Sequence, residues 1–145
     1  MTITFRVNGV PQTKGSAKAF YVPSIKRAVV TNDNAKCKPW QAGVTHAAAQ
    51  AMNGEPWREP VLLELVFYMP RPKGHYGTGK NVNQLKNSAP MRHVTKPDLD
   101  KLVRAVKDGL KGVVYVDDSV VDALTARKFY ATDAHPCGVE VTVGV

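Results

Sequence analysis

The sequence predicts an α/β (α+β) fold, a single mixed β-sheet packed by two main helices. Three observations carry that expectation. Apolar and polar residues alternate at both ends of the chain, at Ile3, Phe5 and Val7 and again at Val139, Val141, Val143 and Val145, which is the period of half-buried strands. Two segments repeat apolar residues at helical spacing. Between them VLLELVFYM, Val61–Met69, is a β-leaning apolar run of the kind expected for a strand buried on both faces. At 145 residues the chain suits one domain around one core, and a hydrophobic content of 43% is too high for wholesale disorder.

The first strand closes at Asn8-Gly9, and Pro11 to Pro23 then reads as a loop. It carries Gln12, Lys14, Ser16 and Lys18, short or cationic donors suited to phosphate oxygens. A helix is expected from about Pro39, with Trp40, Val44, Ala47, Ala48 and Ala51 on one face and Asn53-Gly54 as its stop. After Met69 the periodicity lapses. Pro70 to Lys96 is far longer than an ordinary connection, and such loops are functional or disordered. A second helix carries Leu99, Leu102, Val103, Val106 and Leu110 in one stripe and ends at Lys111-Gly112. Val113–Val116 and Val121–Tyr130 read as strands flanking a turn at Asp117-Asp118-Ser119.

Several functional classes fall away. No apolar run is long enough to span a bilayer and MTITFRVNG lacks the core of a signal peptide, so a cytoplasmic protein with no membrane partner is expected. Cys37 and Cys137 read as reduced packing residues, and the four histidines form no zinc pattern. GHYGTGK, Gly74–Lys80, approaches the phosphate-cradling P-loop, but Asn81 stands where the magnesium-binding hydroxyl belongs and no helix is expected after it. No nucleotide cofactor is expected.

A formal charge of +8 points to a polyanionic partner, nucleic acid above all. The span Leu65–Pro97 holds six Lys/Arg and no acid. Lys14, Lys18, Arg71, Lys73, Lys80, Lys86, Arg92, Lys96 and Lys101 are the candidate nucleic-acid contacts. Against this background Asp98, Asp100, Asp108, Asp117, Asp118 and Asp122 concentrate six of the chain's twelve acids. Two residues apart on a helix, Asp98 and Asp100 would diverge by about 200°. Pro97 favours an extended lead-in, so Asp98 is placed just outside the helix and Asp100 near its N-cap, where both carboxylates can converge. Asp118 could return to the same mouth. Three carboxylates this close repel one another unless a cation joins them, and Mg²⁺ takes a few carboxylate oxygens with water and phosphate. Asp98, Asp100 and Asp118 are therefore the candidate metal ligands and catalytic acids. Arg104, four residues after Asp100 and on its helical face, is the candidate for neutralising charge on phosphorus. The bland alternative gives the acids only capping, turn and surface-pair duties, with Asp108 solvated and Asp122 on a strand edge.

The pattern KPDLDKLVRAVKDGL followed by VVYVDDSVV resembles the RusA family of Holliday junction resolvases, many of them phage or prophage encoded; the match runs over about Thr95–Lys128. The resemblance implies a RusA-like fold and a magnesium-dependent endodeoxyribonuclease, with manganese as a substitute. It further implies a homodimer that nicks two opposing strands of a four-way DNA junction in recombination and repair. Carried over by position, the metal-binding acids are Asp98, Asp100 and Asp118, with Asp117 beside them. Lys101 stands where the family usually has Asn, and Arg104 where it has a catalytic Lys. An arginine clamps phosphate but does not give up a proton near neutral pH, so Lys101 or Lys107 would have to compensate. The competing readings are a noncatalytic nucleic-acid-binding module and a metal-dependent nuclease for other substrates.

Overall fold

In the computed structural model, residues 1–15, 17–32 and 34–145 are described, with the side chains of residues 17–20 and 29–32 outside that description. The strands are β1 (Thr2–Asn8), β2 (Ala17–Val22), β3 (Arg27–Asn32), β4 (Val61–Met69), β5 (Val121–Tyr130) and β6 (Gly138–Gly144). The helices are α1 (Cys37–Ala51) and α2 (Leu99–Leu110). Four strands form one mixed sheet in the order β1-β6-β4-β5. β6 runs antiparallel to both β1 and β4, whereas β4 and β5 are parallel.

Register makes one face of this sheet apolar. Leu65 lies beside Val141 and Ala126, and Val141 beside Phe5; Phe67 lies beside Val139 and Lys128. Both helices pack into the same core: Trp40, Val44 and Ala48 of α1 and Leu102, Val106 and Leu110 of α2 are buried with Leu63, Leu65, Phe67 and Val141. Each large side chain so buried contributes about 1.5–3 kcal/mol. A parallel β4–β5 pair requires a crossover. That connection holds both the basic loop and the acid-rich α2.

Four local expectations change. The expected loop 11–23 contains β2, which pairs with β3 in a separate two-stranded sheet. Its partner lies beyond the segment whose composition suggested a loop, so local patterning did not reveal the pair. Val113–Val116 is a turn rather than a strand. Val114 and Tyr115 are fully buried, and the local backbone pairs with Trp57 through Trp57 N to Val114 O at 2.9 Å and Val116 N to Trp57 O at 3.0 Å. β4 is buried on both faces only in its second half, because Leu62 and Glu64 are exposed.

The basic loop is also better ordered than its sequence suggests. Gly77 N donates to Gln84 O at 2.9 Å and Lys86 N to His75 O at 2.9 Å, folding the segment back on itself. Arg71 fixes its base, with its guanidinium 4.1 Å from the Tyr130 ring centre and Nη1 donating to Pro90 O at 2.7 Å. His93 is buried edge-on against Tyr130, and desolvation, reinforced by the charge of Lys128, lowers its pKa. Gly79–Asn81 form a single 3₁₀ turn with no α-helix following, so the P-loop-like motif has no helix N-terminus to offer phosphate.

Candidate active site

α2 begins where the backbone leaves Asp98 extended, at φ −68° and ψ 139°, and Asp100 falls in its first turn. From there Asp100, Arg104, Lys107 and Asp108 recur at helical spacing on one flank, opposite the stripe that enters the core. β5 is an edge strand, and Leu124 and Ala126 on its helix-facing side are not closed over; Leu124 is 48% exposed. The gap is a cavity of about 680 Å³ lined by Leu99, Asp100, Val103, Arg104, Lys107, Asp108, Asp118, Leu124 and Ala126. An apolar floor thus lies between charged walls, and three of the clustered carboxylates share the space.

The two adjacent acids after α2 divide their work. Asp117 accepts from Ser119 N at 3.1 Å and pairs with Lys111 Nζ at 3.0 Å. Hydrogen bonds from Ser119, then Lys111, push the Asp117 pKa far below the usual carboxylate range, and the same contact raises that of Lys111. Asp117 therefore builds the turn. Asp118 faces the cavity, and the one proton of Tyr115 Oη is shared between Lys107 O at 3.2 Å and Asp118 Oδ1 at 3.4 Å. Burial, followed by the charge of Asp118, raises the Tyr115 pKa well above the ordinary phenol value, so the hydroxyl stays a donor. Tyr115 was missed in the sequence because VVYV reads as strand core; nothing local marks its hydroxyl.

The other candidate residues separate. Asp98 is outside the main cavity, in an adjoining cleft with Thr13, Lys96, Pro97 and Lys101, and lies 3.9 Å from Lys101 Nζ. Among the described residues no three His, Cys, Asp or Glu side chains stand close enough to hold one metal ion. Asp100 and Asp118 thus line one cavity together with Asp108, and Asp98 lines a separate cleft. Two hard carboxylates opening onto a wet cavity nonetheless suit magnesium, which binds through one or two carboxylates and keeps places for water and phosphate. The bland duties are taken up in part: Asp117 builds the turn, and Asp98 and Asp108 make pairs with Lys101 and Lys14. Asp98 makes no side-chain cap to the helix, and neither Asp100 nor Arg104 is ion-paired among the described residues.

Of the candidate phosphate contacts, Lys73, Lys80, Lys86, Arg92 and Lys96 are exposed. Lys14 is committed to Asp108 at 3.1 Å, which draws the segment after β1 onto the cavity wall, and Lys101 leans toward Asp98. Arg71 is an internal anchor rather than a free cation. The Lys18 side chain lies outside the described residues, as does Ser16.

Two comparisons bear on this geometry. The family model described as Endodeoxyribonuclease RusA matches residues 10–144. The chain is also 33% identical over 132 residues to the uncharacterized protein YqaN of Bacillus subtilis (strain 168), spanning 90% of this chain and 89% of that protein. The family match covers the cavity, the Asp98 cleft and the basic loop.

Proposed function

This chain belongs to the endodeoxyribonuclease RusA family, and on that premise we propose that it is a magnesium-dependent endonuclease that resolves four-way DNA junctions by paired phosphodiester hydrolysis in recombination and repair. The observation that carries the reading is the cavity itself. Asp100, Asp118, Arg104 and Lys107 open onto one space while a basic loop flanks the same crossover.

Asp100 and Asp118 would hold the ion, with Asp98 as the third candidate ligand from the neighbouring cleft. Magnesium, or manganese in its place, supplies Lewis acidity to the phosphodiester and acidifies a water. Arg104 neutralises negative charge growing on phosphorus. An arginine is a clamp rather than a proton donor, so the proton for the leaving oxygen is assigned to Lys107, which lines the same cavity. Lys73, Lys80, Lys86, Arg92 and Lys96 hold the backbone of the junction arms. A homodimer with twofold symmetry would set two such sites across a substrate of matching symmetry.

The test uses labelled four-way junctions, linear duplex and single strands, with and without Mg²⁺. The expected result is paired nicks in the junction alone, abolished by chelation and by Asp100→Asn while junction binding survives. Equal cutting of every substrate would reject junction selectivity and retain the nuclease. Binding without scission under any metal would leave a noncatalytic module.

A further inference from the structure

The register of β5 turns Lys128 toward the helix-facing side of the sheet, beside the fully buried Phe67. The segment Thr95–Pro97 crosses there, and Lys128 Nζ donates to Thr95 O at 2.6 Å and to Pro97 O at 2.8 Å. Lys128 has no carboxylate partner among the described residues, so its charge is spent on these two carbonyls.

We propose that Lys128 is a positioning residue that fixes the lead-in to α2 and so sets where Asp98 stands relative to the Asp100–Asp118 cavity; the inference rests on the nuclease reading above. The Pro97 carbonyl belongs to the peptide unit that ends at the Asp98 nitrogen. Holding that oxygen fixes the orientation of the unit, and the pyrrolidine ring already locks φ of Pro97. The second bond, to Thr95 O, fixes the peptide on the other side of Lys96. Asp98 then keeps little freedom beyond its own dihedrals. A lysine suits the task because its compact ammonium carries three donors and no acceptor, enough for two carbonyls that neither helix nor sheet provides for. The edge strand is thereby tied to the residue that must reach across from the neighbouring cleft.

The test reads Mn²⁺ binding directly by calorimetry, beside cleavage of the four-way junction and metal-free junction binding. Lys128→Met keeps the aliphatic stem and removes the donors. Its Mn²⁺ affinity and its cleavage rate are expected to fall about 10–100-fold, the range seen when groups that orient metal ligands are removed. Junction affinity without metal should stay within about twofold, because no phosphate contact is lost. Lys128→Arg, whose fork also presents two N–H groups, should recover most of the Mn²⁺ affinity. A folded Lys128→Met protein that binds Mn²⁺ like the wild type overturns the inference, and so does one that loses metal-free junction affinity in parallel, since Lys128 would then be a substrate contact. If Lys128→Met does not fold, Lys128→Gln, able to donate to one carbonyl, should show an intermediate loss of Mn²⁺ affinity; wild-type affinity in it overturns the inference. A wild-type protein that neither binds Mn²⁺ nor cuts overturns the nuclease reading and this inference together, whereas an active wild type with an unaffected Lys128→Met overturns this inference alone.

Discussion

Two neighbouring aspartates with the same side chain do different work here, and their contacts explain the difference. Asp117 spends its oxygens on Ser119 and Lys111, leaving little capacity for a ligand; Asp118 keeps its carboxylate toward the cavity and, among the described residues, has the Tyr115 hydroxyl as its side-chain partner. Because Tyr115 is fully buried, that hydroxyl orients Asp118 from within the protein. Tyr115→Phe should therefore lower stability by about 0.5–1.5 kcal/mol, the usual net worth of one hydrogen bond, and lower cleavage about tenfold by loosening a metal ligand. Thermal melts and single-turnover cleavage read the two effects separately. A stability loss with unchanged cleavage would make Tyr115 a core residue only.

α2 has to satisfy two surfaces at once, and its sequence shows how. The stripe Leu102, Val106 and Leu110 enters the core while Asp100, Arg104 and Lys107 keep the cavity flank polar. Its approach to α1 is limited by Gly109, where an added Cβ would lie 3.0 Å from Val44 Cγ1 and 3.2 Å from Gln41 O. Thr45 Oγ1 also donates to Gly109 O at 2.7 Å, so the two helices are pinned at this separation. Gly109→Ala would gain about 1 kcal/mol of helix propensity. Overpacking against a backbone oxygen costs about 1–3 kcal/mol and should win, so a lower unfolding midpoint is expected in calorimetry. A raised midpoint would mean that α1 yields. Elements of this kind were legible in the sequence, since the stripe of α2 and the alternation of β1 and β6 are local patterns with a fixed period. The β2–β3 pair, the turn at Val113–Val116 and the separation of Asp98 from Asp100 were not. Each depends on where a distant segment packs: β3 beside β2, Trp57 beside Val114, and Lys128 beneath Pro97.

Across the whole molecule the +8 charge is not evenly spread, and the fold turns that imbalance into a division of labour. Acids gather at the α2–β5 cavity, while the same crossover carries Lys73, Lys80, Lys86 and Arg92 on a loop held to the body through Arg71 and Tyr130. A loop so anchored presents its cations in fixed positions, which lets them act as phosphate contacts rather than as a diffuse field. If so, log affinity for a junction should fall linearly with log salt between about 50 and 200 mM, and each phosphate-bound lysine should account for about 0.9 of the slope. Replacing Lys80 and Lys86 together by alanine should then flatten the slope by about two and weaken junction and duplex binding alike, because backbone contacts carry no sequence or branch information. The cleavage rate at saturating protein should be unaffected, since neither lysine lines the cavity. A salt slope identical to wild type would mean that these lysines face solvent in the complex and that the junction is held elsewhere on the basic surface.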